Sequence, residues 1–419
     1  MSKRIAVIGG GAAGLAAGHF LRRDFELTLF EKESRLGGNA YTFTARDGQQ
    51  VDIAVAAFGR AGYKHFFRLL AELGIPTRAS AGAFMSLHNL DNQQGIYVTP
   101  SLRALRAQRF RILAPSQLRP FWELSRGLAS ARTIQRAGGF DDLTVREGLR
   151  LLPRISGDAE KIFLCALCLL SSMSAEEVLE APAGFFFEKI AVHNDVMSPK
   201  AVYSVRTVVG GTRSYVSALA RAFGDRIVRN ARIRAVLRDD DRIRIAFSDG
   251  DEAGFDKVIF ACSADQVLDL LEAPTPLEQE LLSAWRYKDG RLVVHRDHTA
   301  FPKRELMQAY TFLYRQRDGG FSTSVNGSLW FEPGVPDTCD LIASQHPNFP
   351  IREDRIELDT VLRTPIFDSR SCATTARLPA LNGIENTYYC GSYFGHGLHE
   401  DAVRSAVDVA RGLGVEPWQ

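Results

Sequence analysis

Three glycines near the start of the chain, Gly9, Gly11 and Gly14, carry the first chemistry. Spaced Gly-x-Gly-x-x-Gly, they let the backbone turn tightly, let a pyrophosphate approach and let a helix pack on a strand. The phosphates would meet the first amides of that helix, at Ala12, Ala13 and Gly14. Glu31 stands twenty residues after Gly11, where a carboxylate accepts hydrogen bonds from both hydroxyls of an adenosine ribose and repels a 2′-phosphate. Arg35 precedes a second glycine pair, Gly37 and Gly38, and its guanidinium can reach a diphosphate. Domains that bind only a nicotinamide dinucleotide do not usually carry that second turn.

These groups need a βαβ unit to position them. Residues 4–8 read as a short buried strand, 12–23 as a helix with an apolar face, and 27–31 as a second strand. From 95 to 200 the rhythm becomes mostly helical, with apolar periodicity over 142–151 and 158–173. Short strands return over 227–245, 256–261, 292–295 and 387–390. The last strand leads into Gly391, Ser392, Tyr393, Phe394, Gly395, His396 and Gly397, and then a helix over about 398–413. Twelve of the 35 glycines fall in the clusters at 9–18, 37–38, 210–211 and 391–397, so one extended ligand site would be assembled from separated segments.

The remaining candidates are weaker. In His295-Arg296-Asp297-His298, strand geometry sends neighbouring side chains to opposite faces, so the three cannot converge on a metal; no metal site is expected. Cys165-x-x-Cys168 sits in an apolar helical run and reads as core. Residues 101–136 hold eight arginines against Glu123 alone, interleaved with Phe110, Trp122 and several leucines. That stretch reads first as a solvated helical face and second as a contact for an anionic membrane surface or an acidic carrier. A length of 419 residues allows two or three domains, a net charge of +2 implies no nucleic-acid partner, and six scattered cysteines fit a reducing compartment. The expected location is the cytoplasm, with peripheral membrane association as the variant that the arginine-rich stretch would support.

The run Ile8 to Gly14, Glu31, Arg35 to Gly38 and the Asp52 segment resembles the N-terminal signature of FAD-dependent amine oxidases and phytoene-desaturase-like flavoproteins. Within them it is most similar to a bacterial group of predicted NAD/FAD-binding proteins often found beside cyclopropane fatty acid synthase. The resemblance continues through residues 66–76, 209–215, 294–302, 346–349 and 389–406, nearly the whole chain. It implies an α/β fold in which a Rossmann-like, glutathione-reductase-like FAD domain interleaves with an α+β substrate domain. The first would take residues 1–90, 200–270 and 376–419, and the second 91–199 and 271–375.

The resemblance also implies site residues. Non-covalent FAD would be held by Gly9, Gly11, Ala12, Ala13, Gly14, Glu31, Lys32, Arg35, Gly37, Gly38 and Asn39, with Asn39 where relatives often have arginine. The Ile233 backbone would meet adenine, and Gly391, Ser392, Leu398 and His399 would wrap the flavin end. A helix N-terminus beside the pyrimidine ring favours the anionic reduced flavin. Glu400 and Asp401 would cap that helix, with Arg404 pairing to Glu400. Arg291 stands where relatives often have a lysine directed at the flavin, and Ala373 and Leu398 stand where monoamine oxidases have an aromatic pair. Cys372 falls near a covalent attachment point of those enzymes. Without the aromatic pair the expected substrate is a hydrophobic or amphipathic small molecule that gives up a hydride from a C–H or C–N bond, with O2 or another acceptor taking the electrons. His396, Tyr393 and His295 are the candidates to orient it or move a proton. The alternatives are a redox-neutral double-bond isomerase, a simple amine oxidase, and a flavin-free interaction scaffold of the escort-protein kind, which intact phosphate motifs argue against.

Overall fold

The computed structural model describes residues 3–54, 57–80, 85–97, 114–153, 155–194, 205–239, 242–317, 320–332 and 334–418. β1 (Arg4–Ile8) is apolar beyond its first residue and buried on both faces, as a strand in the middle of a parallel sheet must be. α1 (Ala12–Leu21) returns the chain to β2 (Glu26–Glu31), which pairs with β1 in parallel. The strand Ile227–Arg229 extends the sheet beyond β2, and Lys257–Phe260 and Thr387–Tyr389 extend it beyond β1, all in parallel. Five strands from distant parts of the chain thus make one sheet. Its far face is covered by α1 and the helix His399–Gly412, which pack on each other. Gly18 permits that layer: a Cβ there would lie 2.0 Å from the Phe223 ring.

A second sheet of seven strands is mostly antiparallel, in the order 356–366, 286–295, 342–345, 320–328, 310–317, 85–89 and 95–97. The helices Gly157–Ser171 and Ala175–Leu179 pack on its Gly320–Ser328 strand, and Ala183–Asn194 packs on Gly157–Ser171 in turn. The expected boundary at residue 90 is displaced here. Met85–Asn89 pairs with Tyr310–Arg317, so it belongs to the second sheet and not to the cofactor side. Leu87 and Ser86 are fully buried there, with the Ser86 hydroxyl bonded to Thr311 on the partner strand. Residues 233–239, 242–247 and 252–255 form a separate antiparallel meander on the cofactor side. Among the described residues no helix is long and apolar enough to cross a membrane.

Candidate functional site

The site starts at the end of β1. Gly9 has φ of +112°, and a Cβ there would sit 2.8 Å from the Ala261 carbonyl, so only glycine lets the turn pass this close to the neighbouring strand end. Gly14 packs α1 onto the turn itself: its Cβ would fall 2.1 Å from the Gly9 carbonyl oxygen. Gly11 is different, because a Cβ there meets nothing within 4 Å. The N-terminus of α1 lies at this open face, with no side chain capping it and no acid in its first turn. Uncapped amides at Ala12, Ala13 and Gly14 beside open space suit a pyrophosphate.

The acid and the second glycine turn close around that face. Glu31 is buried, and its carboxylate accepts from the amides of Gly10 at 2.7 Å and Glu33 at 2.9 Å. The Gly37 amide donates to the Gly10 carbonyl at 2.8 Å, so the two glycine turns stand side by side. Arg35 donates to the Gly38 carbonyl at 2.7 Å and stacks over Tyr41, which holds its guanidinium at the rim. Lys32 is exposed beside Glu33. Asn39 donates to the Arg363 carbonyl at 3.0 Å and so ties this turn to the last long strand of the second sheet. Ile233 opens the meander, paired with Phe247 where the register shifts.

Asp52 is the hinge between the two sides. Its buried carboxylate accepts from Thr42 Oγ1, Thr212 N and Thr212 Oγ1 at 2.5 to 3.0 Å, locking the segment after β2 to the turn at Gly210 and Gly211. Burial pushes this carboxyl upward, and the threonine donors pull it back. Beyond Asp52, a cavity of about 80 Å³ opens between Ile53, Ala54 and Ala57 on one side and the second sheet on the other. Tyr310, Val325, Gly327 and Ala343 floor it, Leu169 and Leu329 wall it, and Glu332 stands at one end. Burial, and then the neighbouring Asp52 carboxylate, hold the Glu332 carboxyl well above the ordinary range.

The C-terminal loop supplies the third wall. Tyr393 packs on Trp285 and Phe394, and its hydroxyl is buried with no partner among the described residues. It lies close to Cys262, Cys390 and Tyr287, at the carboxyl ends of two parallel strands, where ligands of such sheets bind. An unspent buried hydroxyl there, together with the open face at Gly11 and the uncapped amides, fits a dinucleotide lying across the sheet. Ser392 starts the short helical turn after Gly391. The His396 ring stacks on Phe185, with Nε2 at 3.6 Å from the Glu188 carboxylate. Leu398 caps the final helix, and its amide and that of His396 donate to Asp401. His399 is enclosed by Phe58, Phe66 and Tyr215 and bonds the Tyr215 hydroxyl; burial lowers it to about 4. Only its backbone remains for a ligand.

Several expectations change. His295 is fully buried in a different core, bonded to Ser344 Oγ and packed near Phe301 and Phe349. Its partner Ser344 stands between Ala343 and Gln345, which line the cavity, so alternation along the strand puts His295 on the opposite face of the sheet from that cavity. Arg291 points to the outer face and pairs with Asp359. Ala373 is exposed, whereas Leu398 is buried in the core that includes α1. Glu400 caps not its own helix but α2 (Lys64–Glu72), accepting from the His65 and Phe66 amides; Arg404 pairs with Asp401 and Asp408 instead. Of the arginine-rich stretch, Arg103, Arg106, Arg109 and Arg111 lie outside the described residues. The helix Pro115–Arg136 that follows exposes 64% of Trp122 and pairs Arg119 with Glu123.

Sequence reasoning did not find Glu332 or Lys189. Lys189 is fully buried, with no hydrogen-bond partner among the described residues. Its run Phe185-Phe186-Phe187-Glu188-Lys189-Ile190 was a signal, since a lysine inside a core helix needs a reason.

A family model described as flavin containing amine oxidoreductase matches residues 12–295, more than half of the chain. A Mycobacterium tuberculosis protein provisionally named flavin-containing monoamine oxidase AofH is 26% identical over 298 residues, which is 69% of this chain. The chain spans 63% of the length of that relative. An engineered putrescine oxidase superposes with a TM-score of 0.69 at 13% identity, covering 98% of both chains. A fatty acid isomerase of P. acnes that produces CLA superposes at 0.65 and 16% identity, again over 98% of each. The fold is thus that of these flavoproteins, and the family follows from the sequence match. The chain belongs to the family of flavin-containing amine oxidoreductases, with FAD as its cofactor.

Proposed function

We propose that this chain takes a hydride from a C–H or C–N bond of a hydrophobic or amphipathic small molecule and passes the electrons to O2 or another acceptor. FAD, when bound, supplies the hydride acceptor; the protein supplies binding, orientation and electrostatics. The amides at Gly11 to Gly14 would hold the pyrophosphate, Glu31 the ribose, and the Ile233 backbone the adenine. The loop from Gly391 to His399 would take the flavin end, with the N-terminus of the last helix favouring negative charge there.

The cavity beyond Asp52 carries the substrate reading. Its walls are mainly apolar, and burial and the Asp52 carboxylate shift the Glu332 carboxyl upward. Both disfavour a fixed negative charge there, which weakens the counter-charge that an ammonium would need. His396, with its Glu188 partner, is the best placed of the three proton-handling candidates, since Tyr393 is packed and His295 lies elsewhere. The test is an anaerobic titration of the FAD-loaded protein with fatty acyl, polyene and amine candidates, following flavin absorbance. Bleaching by an acyl or polyene compound is expected. Bleaching by simple amines alone overturns the apolar reading, and turnover to an isomer without net oxidation or O2 uptake replaces oxidation with isomerisation.

A further inference from the structure

Lys189 belongs to the helix Ala183–Asn194 and points at the loop that precedes the last helix. Its Nζ lies 4.1 Å from the centre of the Phe367 ring and 5.9 Å from that of Phe186. Phe367 in turn presses on Gly397, where a Cβ would be 2.4 Å from the ring, and stacks on Phe185, which stacks on His396. The amine is therefore embedded directly behind the Gly395–Leu398 loop.

No hydrogen bond holds its charge among the described residues. Asp401, the nearest carboxylate to act on it, is already occupied by the His396 and Leu398 amides and by Arg404. The other titratable groups facing Lys189 are the Cys372 thiol, which burial pushes up to about 12, and His193, which burial and Lys189 together lower to about 4. Both are neutral near pH 7. Burial, opposed by Asp401 and Cys372, lowers Lys189 to about 7, so the amine is balanced between its two forms. An unpaired ammonium inside an aromatic core is costly, and such a lysine persists where a counter-charge comes and goes.

We propose that Lys189 is a redox-linked proton acceptor: it takes one proton from solvent when reduction places a negative charge at the Gly395–Leu398 loop, and releases it on reoxidation. This rests on the flavin end of FAD lying against that loop. In charge balance, hydride transfer carries two electrons and one proton to the cofactor and leaves it with one negative charge, and protonated Nζ neutralises that charge. With the Phe367 ring between the amine and the loop, a unit charge about 6–12 Å away at an effective dielectric of about 20 raises an amine by roughly one to two pKa units. Lys189 acts through the field and is a positioning residue, not a group that touches substrate.

The experiment measures the flavin midpoint potential from pH 6 to 10 in the FAD-loaded wild type, Lys189→Met and Lys189→Arg, after bound FAD per chain is determined. Below pH 7 the wild type should favour reduction over Lys189→Met by about ten- to a hundredfold in equilibrium constant, and the two curves should converge by about pH 9. Lys189→Arg, charged throughout, should keep its advantage at every pH. Parallel wild-type and Lys189→Met curves overturn the proposal. If Lys189→Met does not fold, proton uptake by the wild type during anaerobic dithionite titration decides: stoichiometry near pH 8 should approach one proton above that at pH 6 and pH 10, and a stoichiometry without this maximum overturns it. A wild type that binds no FAD fails the cofactor reading itself, and this is seen before any potential is read.

Discussion

The two sheets of this protein are specified by different means. The five-stranded parallel sheet is built by backbone approaching backbone: Gly9 against Ala261, Gly14 against Gly9, and the Gly37 amide on the Gly10 carbonyl. The seven-stranded sheet is built by side chains, and it buries many polar ones, among them Ser86, Thr311, Ser324, Asn326, Ser328 and Ser344. Asn326 alone donates to the Thr311 and Ser324 carbonyls and to Ser324 Oγ. The difference teaches that close backbone approach leaves no room for an added Cβ at Gly9 or Gly14, whereas the second sheet is held by a network of buried side-chain hydrogen bonds.

The sharpest break of this contrast is Gly14→Val. With a Cβ 2.1 Å from the Gly9 oxygen, α1 must leave the sheet. The variant should lose FAD and more than about 3 kcal/mol of stability, read as bound flavin per chain and as the denaturation midpoint. Retention of full flavin would erase the distinction between the sheets.

Acid should then weaken both halves alike. His399 on the cofactor side and His295 in the second sheet are each lowered to about 4 by burial. Each is neutral when folded and protonates at about 6.5 when unfolded, so stability falls as pH drops from 6.5 towards 4, by about 1.4 kcal/mol per pH unit per histidine. His399→Phe and His295→Phe should each flatten the dependence of the denaturation midpoint between pH 7 and 5. If only one does, the two halves unfold separately.

A smaller effect is expected from Glu400→Ala. The loss of the carboxylate that caps α2 and bonds His65 should cost about 1–2 kcal/mol, seen as a lower Tm. Glu400→Gln should recover part of it. The smallest is Arg291→Ala. It breaks a pair on the outer face of the second sheet, so stability should stay within about 0.5 kcal/mol and the flavin spectrum unchanged; an altered spectrum would restore Arg291 to the site.

How much of this was legible in the sequence follows the same division. The first βαβ unit was read almost to the residue, because Gly9, Gly11, Gly14 and Glu31 act through local backbone geometry. The final strand, loop and helix were read for the same reason. For His295 the motif does not say which face of the second sheet is open, and pairing with Ser344 puts the ring on the face away from the cavity. Glu400 was read as a cap of its own helix, and only packing shows that its carboxylate crosses to α2. Ala373 and Leu398 were matched as a pair, although one is exposed and the other lies in the core.

By itself, then, the sequence determined the cofactor side: the turns that must be glycine, the acid at the end of β2, and the order in which separated segments return to one sheet. These are consequences of sterics over a few bonds, and spacing encodes them. The tertiary structure alone decided that Met85–Asn89 crosses to the second sheet, that Glu332 lies beside Asp52 at a cavity, and that Lys189 lies behind the Gly395–Leu398 loop. Those depend on which groups burial brings together over hundreds of residues, and a low-dielectric neighbourhood sets the charge of each only after the chain has closed around it.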